Sequence, residues 1–405
     1  MAISITKKDI GWGYGKLFFS TAVNILLLPF VLKSLSSSEM GLWYVFTSIG
    51  SLATLIDFGL VTTISRNVTF VWCGAEVLTK EGYESKTEIA SPNFELLHRL
   101  IVTCKRLYMI MSLFVFVLLL ILGTLFINNT AKGVLPKTDY ISAWFVYILA
   151  VSLNIYYAYW NPLLKGIGAI KQSNQIVVYA KFAQLIITII GLRIGFGLRA
   201  VAIAYFVSSI VMRISASMLF KNYEDVKGNL KRVQKNRIRN NEVRETFMSM
   251  WPNAYKQGLI SISNFVQRKA GTLLASAFLG LETASMIGLT QQIFDLVMAV
   301  ANALFNSYIP LMSEQRLVDN KKKLIDYYSQ SVGLSIYIIL FCGISAIIIS
   351  PFLLKMIGSK TGILSFVPAF VLLVNNLLVN THVLSGAFIA TGNKVPMYKA
   401  YILTV

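Results

Sequence analysis

Lys16, Ser20 and Asn24 recur at i, i+4 and i+8 inside the apolar run Gly13–Lys33, so an amine, a hydroxyl and an amide share one helix face. The pattern returns in other apolar runs. Gln257, Ser261, Asn264 and Arg268 form a second line, with Lys256 beside it, and Gln291, Asp295, Asn302 and Asn306 form a third. Thr47, Ser51 and Thr54, with Asp57 just off the line, form a fourth, and Asn376 and Asn380 a fifth. Polar groups of these types offer hydrogen bonds and charge to a ligand. They do not assemble an activated nucleophile, a phosphate loop of the GxxxxGK[ST] kind, or an HExxH, GxSxG or CxxC motif, so neither a cofactor nor a bound metal is implied. In lipid, a helix with one polar stripe must turn it toward protein or a wet cavity. Five such helices describe a water-accessible cleft.

The charges of that cleft are mostly positive. A Lys or Arg at mid-membrane costs roughly 2.5–3.5 kcal/mol even on the mild insertion scale, so the excess of cations implies an anionic ligand. Lys181 sits well inside its run and is the hardest to explain otherwise. Lys16 lies about one turn inside, Arg213 near a helix end, and Arg268 and Lys269 far along theirs; each has the alternative of snorkelling to an interface. Asp57 and Asp295 are ion-coupling candidates or structural partners of these bases. His382 is a packing residue or a proton-coupling one.

The elements that must position these groups are membrane helices. The chain is 56% hydrophobic and 14% charged with a mean hydropathy of +0.65, against ~25% charged for a soluble domain, so part of its solvent is lipid. Windows long enough to cross fall near 13–33, 41–65, 107–127, 141–164, 174–193, 198–219, 251–275, 284–311, 329–350 and 363–391. An eleventh apolar run starts at Ala400 and stops with Val405; we expect a second bundle truncated at this point. Lys7 and Lys8 before the first run, with no small-residue cleavage site after it, predict an uncleaved anchor. With the N-terminus inside, the inside segments hold 24 Lys and Arg against 7 outside, which predicts a cytoplasmic N-terminus. The net charge of +19 therefore reads as basic loops facing anionic membrane lipids and not as a nucleic-acid surface.

Two inside segments are long. In the first, Phe94, Leu97, Ile101, Cys104 and Tyr108 keep helical spacing, which predicts an interfacial helix leading into the third span. The second, 221–248, carries the run KRVQKNRIR and reads as a solvated basic linker. It divides the chain into an N-terminal six-helix bundle over 1–220 and a C-terminal bundle over 249–405 with four complete spans. Lys16 and Lys256 are 240 residues apart, as are Asn24 and Asn264, so the two halves read as parallel repeats. The fold expected is an all-α integral membrane protein of two parallel six-helix bundles, the second incomplete, with a central cavity.

The stretch YGKLFFSTAVNILLLPFVLKSLSSSEMGLWYVFTSIGSLATLIDFGL, Tyr14 to Leu60, resembles the polysaccharide (O-antigen type) flippases of the multidrug/oligosaccharidyl-lipid/polysaccharide exporter superfamily. The Glu39–Trp43 entry, the Asp57-Phe58-Gly59 exit and ATGNK at Ala390–Lys394 carry the likeness. The resemblance implies a MATE-like pair of six-helix bundles and no enzymatic activity. It implies transport of an undecaprenyl-diphosphate-linked oligosaccharide, an O-antigen or capsule repeat unit, across the bacterial inner membrane by alternating access. It adds a polysaccharide polymerase and a chain-length regulator as partners. It makes Lys16, Lys181 and Lys256 headgroup contacts, with Arg268 nearer the outer side, and Asn24 and Asn264 complete the candidate binding set. A drug exporter of the same superfamily is the alternative, and a membrane glycan polymerase a more distant one, since the longest outside loop is short.

Overall fold

A computed structural model describes residues 7–78, 91–233, 238–266, 270–302, 304–306, 308–309, 312 and 321–390. Among the described residues the fold is all-α, and contacts divide the chain into two compact units. Among the described residues eight helices are long and apolar enough to cross a membrane, and they fall on eight of the ten expected windows. The remaining windows, around Lys16 and Lys256, are also helical. The chain is a multi-pass membrane protein: its longest apolar helices leave Leu113, Phe114, Phe341 and Ile348 more than half exposed, and such surface needs lipid.

The first unit is Met1–Ser34 with Ile49–Ile262. Helix α1 (Lys7–Ser34) lies along α8 (Ile170–Arg193), and Phe19 meets Phe182 there at 6.3 Å. Helix α2 (Ser37–Thr54) contributes its last turns. The second window does not run on to residue 65 as expected. A 3-10 turn at Leu55–Asp57 is followed by Phe58 and Gly59, both left-handed with φ of 43° and 71°, and α3 (Leu60–Trp72) starts afresh. Gly59 takes that conformation freely, whereas Phe58 pays about 1–3 kcal/mol for it. The Phe58 ring is held by Trp251 at 6.2 Å, and a Cβ on Gly258 would strike both the ring and the Phe58 backbone. Both belong to α11 (Asn240–Phe265).

The expected interfacial helix is part of a longer rod. Helix α4 (Phe94–Leu118) continues through a π turn at Leu119–Gly123 into α5 (Thr124–Ala131), about 57 Å at 1.5 Å per residue. Leu97, Cys104 and Tyr108 of the expected stripe are fully buried against protein, so the stripe does not lie on headgroups. Trp144 of α6 (Lys137–Tyr156) bonds Thr124 just past the π turn at 3.0 Å. Helix α7 (Trp160–Gly166) packs on α3, where a Cβ at Gly166 would meet the Ser65 carbonyl. Helix α9 (Gly197–Asn222) packs on α6 and α8. The basic segment after it is folded over much of its length. Val226 and Leu230 of α10 (Val226–Val233) are buried while Lys227, Lys231 and Arg232 face out, and α10 packs on α4. Arg99 donates to the Glu242 carbonyl and pairs with Glu245 at 2.7 Å, fastening α4 to the start of α11.

The second unit is Leu35–Ser48 with Ser263–Val405. Ser36 and Glu39 form a reciprocal capping box at the start of α2: Glu39 Oε2 accepts the Ser36 amide at 2.8 Å, and Ser36 Oγ accepts the Glu39 amide at 3.2 Å. The recognisable Glu39 thus has a local structural role. After α12 (Gly271–Phe278), helix α13 (Leu281–Ala301) meets the first turns of α2 at two glycines. A Cβ on Gly41 would overlap the Leu281 carbonyl, and one on Gly288 the Tyr44 ring, so small residues set the approach. Helices α14 (Lys321–Ile357) and α15 (Phe366–Ala390) complete the unit around Phe294, Met298, Ile339 and Leu373.

Candidate functional site

A cavity of about 420 Å³ opens in the first unit, lined from α3, α4, α6, α8 and α9. Its residues are placed by local rules. The break at Phe58 and Gly59 exposes the N-terminal amides of α3, and Asp57 caps them, its Oδ2 accepting the Val61 N–H at 3.2 Å. Its other oxygen accepts the hydroxyl of Tyr108, which is itself buried on α4. Both oxygens of the carboxylate are thereby engaged.

On α9, Tyr205, Ser209 and Arg213 stand at i, i+4 and i+8, so one face brings a phenol, a hydroxyl and a guanidinium to the cavity wall. Asn154 of α6 orients them. Its Nδ2 donates to Ser209 Oγ at 2.7 Å and more distantly to the Tyr205 hydroxyl, while its Oδ1 accepts Arg213 Nη2 at 2.9 Å. Arg213 Nη1 reaches the Tyr157 carbonyl at 3.4 Å, and its buried Nε has no hydrogen-bond partner among the described residues. On α8, Lys181 donates to Gln184 at 3.1 Å, one turn on. Two cations thus line the space, and among the lining residues Asp57 is the single carboxylate. Among the described residues Arg213 bonds an amide oxygen and a carbonyl, which orient the guanidinium without forming an ion pair.

Of the residues expected from sequence, the structure brings Lys181 and Asp57 to this cavity. Lys16 on α1 and Lys256 on α11 are partly buried and do not line it. The side chains of Asn24 and Asn264, and all of Arg268, lie outside the described residues. Arg213 turns inward where snorkelling was an open alternative, because Asn154 offers it an acceptor. Tyr108, Asn154 and Tyr205 were not anticipated. The Tyr205–Ser209–Arg213 spacing on α9 is the signal that would have found the third of these.

Asp295 lies in the second unit, in a different setting. Gln291 donates to it at 3.0 Å and exchanges two hydrogen bonds with Asn376 at 3.0 and 3.1 Å. Asn302 and Asn380 exchange a similar pair at 2.7 and 3.1 Å, and both bond Ser335. These four amides of the eighth and tenth windows therefore satisfy each other across α13 and α15.

No family model and no curated protein matches the sequence. Solved structures do match in fold. An inward-facing multidrug resistance MATE family transporter of the MOP superfamily superposes with a TM-score of 0.64 at 15% identity, over 100% of this chain and 84% of that one. A MATE protein in the straight conformation gives 0.57 at 13% identity, over 98% and 84%. A MOP superfamily transporter from Pyrococcus furiosus Vc1 (DSM3638), described by the reverse polarity of its binding pocket and a suggested different function, gives 0.51 at 14%, over 98% and 84%. The fold is that of the MATE transporters.

Proposed function

We propose that the chain is a transporter of the MOP superfamily that moves a lipid-diphosphate-linked oligosaccharide across a bacterial inner membrane by alternating access. The observation that carries this reading is the charge of the first unit's cavity. Lys181 and Arg213 line it, and Asp57, its one carboxylate, is already engaged by Tyr108 and the α3 amide. Two cations against one carboxylate leave the lining of this cavity net positive, and a diphosphate offsets that excess. The uncharged donors and acceptors around them, Asn154, Gln184 and Ser208, suit sugar hydroxyls. Lys16 and Lys256, with Asn24, Asn264 and Arg268, stay in the binding set this reading proposes, and Asp57 and Asp295 stay as ion-coupling candidates. An undecaprenyl-diphosphate carrier as substrate brings a polysaccharide polymerase and a chain-length regulator as partners.

A second reading, export of drugs, is supported by the multidrug transporters that share the fold. A cationic drug would meet two like charges in this cavity, at a cost of several kcal/mol, which ranks it second. The test is reconstitution into proteoliposomes with two probes: a fluorescent polyprenyl-diphosphate disaccharide and ethidium. The proposal expects translocation of the first, reduced by Lys181→Gln and by Arg213→Gln, and none of the second. Movement of ethidium alone would reverse the ranking.

A further inference from the structure

The second unit carries a separate built cavity of about 480 Å³ where α14 turns into α15. Helix α14 is about 55 Å long at 1.5 Å per residue, more than the ~40–45 Å of a bilayer with its headgroups, so this end lies at the interface opposite Lys321–Lys323. Ile347, Pro351 and Leu354 stand at i, i+4 and i+7 and form an apolar wall down α14, faced by Phe366 of α15. Lys355 and Lys360 stand exposed at its mouth, and no carboxylate lines it.

The mouth is preorganised. Gly358, left-handed at φ 71°, ends α14 in a Schellman turn: its amide bonds the Lys355 carbonyl at 3.1 Å, and the Ser359 amide bonds the Leu354 carbonyl at 2.9 Å. Those carbonyls are therefore not presented to a ligand. Ser359 Oγ donates to the Thr361 carbonyl at 2.7 Å, the Leu364 amide donates to Thr290 at 3.1 Å, and the Ser37 hydroxyl donates to the Lys360 carbonyl. An apolar trough with two exposed cations at its rim, on a hydrogen-bonded turn, has the shape and polarity of one ligand class. We infer that this cavity binds an anionic phospholipid, its acyl chain along Ile347–Leu354 and its phosphate between Lys355 and Lys360. The inference does not depend on what the first unit's cavity carries.

The full chain is incubated with mixed vesicles of phosphatidylcholine and phosphatidylglycerol, and the retained lipids are counted by native mass spectrometry. Phosphatidylglycerol is expected to be enriched. Lys355→Ala with Lys360→Ala should lower the preference roughly 30-fold, at roughly fivefold per exposed lysine, and the double arginine variant should keep it. Gly362→Phe tests the trough with both lysines intact, because Gly362 lines it and a Cβ there meets nothing within 4 Å, so a ring is added without a clash and takes up space in the trough. It should also lose the lipid. Equal retention of the two lipids by the wild-type chain, or undiminished enrichment in either the double alanine or the phenylalanine variant, overturns the inference. Displacement by inorganic phosphate would also overturn it, assigning the lysines to a soluble anion instead.

Discussion

Asn154→Asp separates the stability of the first unit from the charge of its cavity. The substitution keeps the size of the side chain and the oxygen that accepts Arg213 Nη2 at 2.9 Å. It removes the amide donor to Ser209 Oγ, a 2.7 Å bond, at about 1 kcal/mol. It adds a carboxylate beside a guanidinium. At about 4 Å and an effective dielectric of ~20 that pair interacts by about 4 kcal/mol before desolvation is charged against it. The two changes oppose each other, so the thermal midpoint should move by only a few degrees in either direction. The cavity, however, falls from two cations with one carboxylate to two with two. An anion then loses the attraction of Arg213, about 1.5–3 kcal/mol for a charged hydrogen bond, or roughly 10–150-fold in affinity. The assay is the initial rate of disaccharide-diphosphate translocation in proteoliposomes against substrate density, beside thermal unfolding of the same preparation. Asn154→Asp moving the substrate at the wild-type rate, with unfolding unchanged, would refute the assignment of Arg213 to an anionic ligand.

Gly258→Leu should lower the thermal midpoint, because its Cβ meets the Phe58 backbone at 2.9 Å, and overpacking of this kind costs about 1–3 kcal/mol; an unchanged midpoint would mean that α11 does not hold the helix break. Gln291→Leu or Asn376→Leu alone removes both bonds of the buried pair and leaves the other amide short of partners, at about 1–3 kcal/mol, whereas the double variant should recover part of that in a thermal double-mutant cycle. Additive losses would instead point to separate roles for the two amides. Glu39→Ala should cost about 0.5–2 kcal/mol through the lost capping box and leave the translocation rate of the remaining folded protein unchanged.

Periodicity and apolar length were enough to place most helices, because both are local properties. Lys181 was legible as an inward-facing cation for the same reason: its place deep inside an apolar run argues against snorkelling, and it lines the cavity. What the sequence hid was long-range. The break at Phe58 and Gly59 reads as a continuous apolar run, and it is held by Gly258 and Trp251, about 200 residues further on. Arg213 reads as a snorkelling residue until Asn154, on another helix, supplies its acceptor. The α4 stripe was correct in its spacing, but spacing does not say whether the apolar face meets headgroups or other helices; burial of Leu97 and Tyr108 decides that.

The two units show what separates polar glue from a polar site inside apolar helices. In the second unit two pairs of amides face each other, and donors meet acceptors at Gln291–Asn376 and Asn302–Asn380. Such pairs are neutral and hold helices together. In the first unit the partners of Arg213 are a carbonyl and an amide oxygen, which satisfy its geometry but not its charge, and its Nε stays unbonded. Asp57 is spent on Tyr108 and the α3 amide. A fold that wanted only stability would place a neutral or apolar side chain at 213 and avoid the cost of a buried cation. In the reading proposed above, the guanidinium is retained, oriented at the wall of a net-positive cavity, for a negative charge that arrives and leaves.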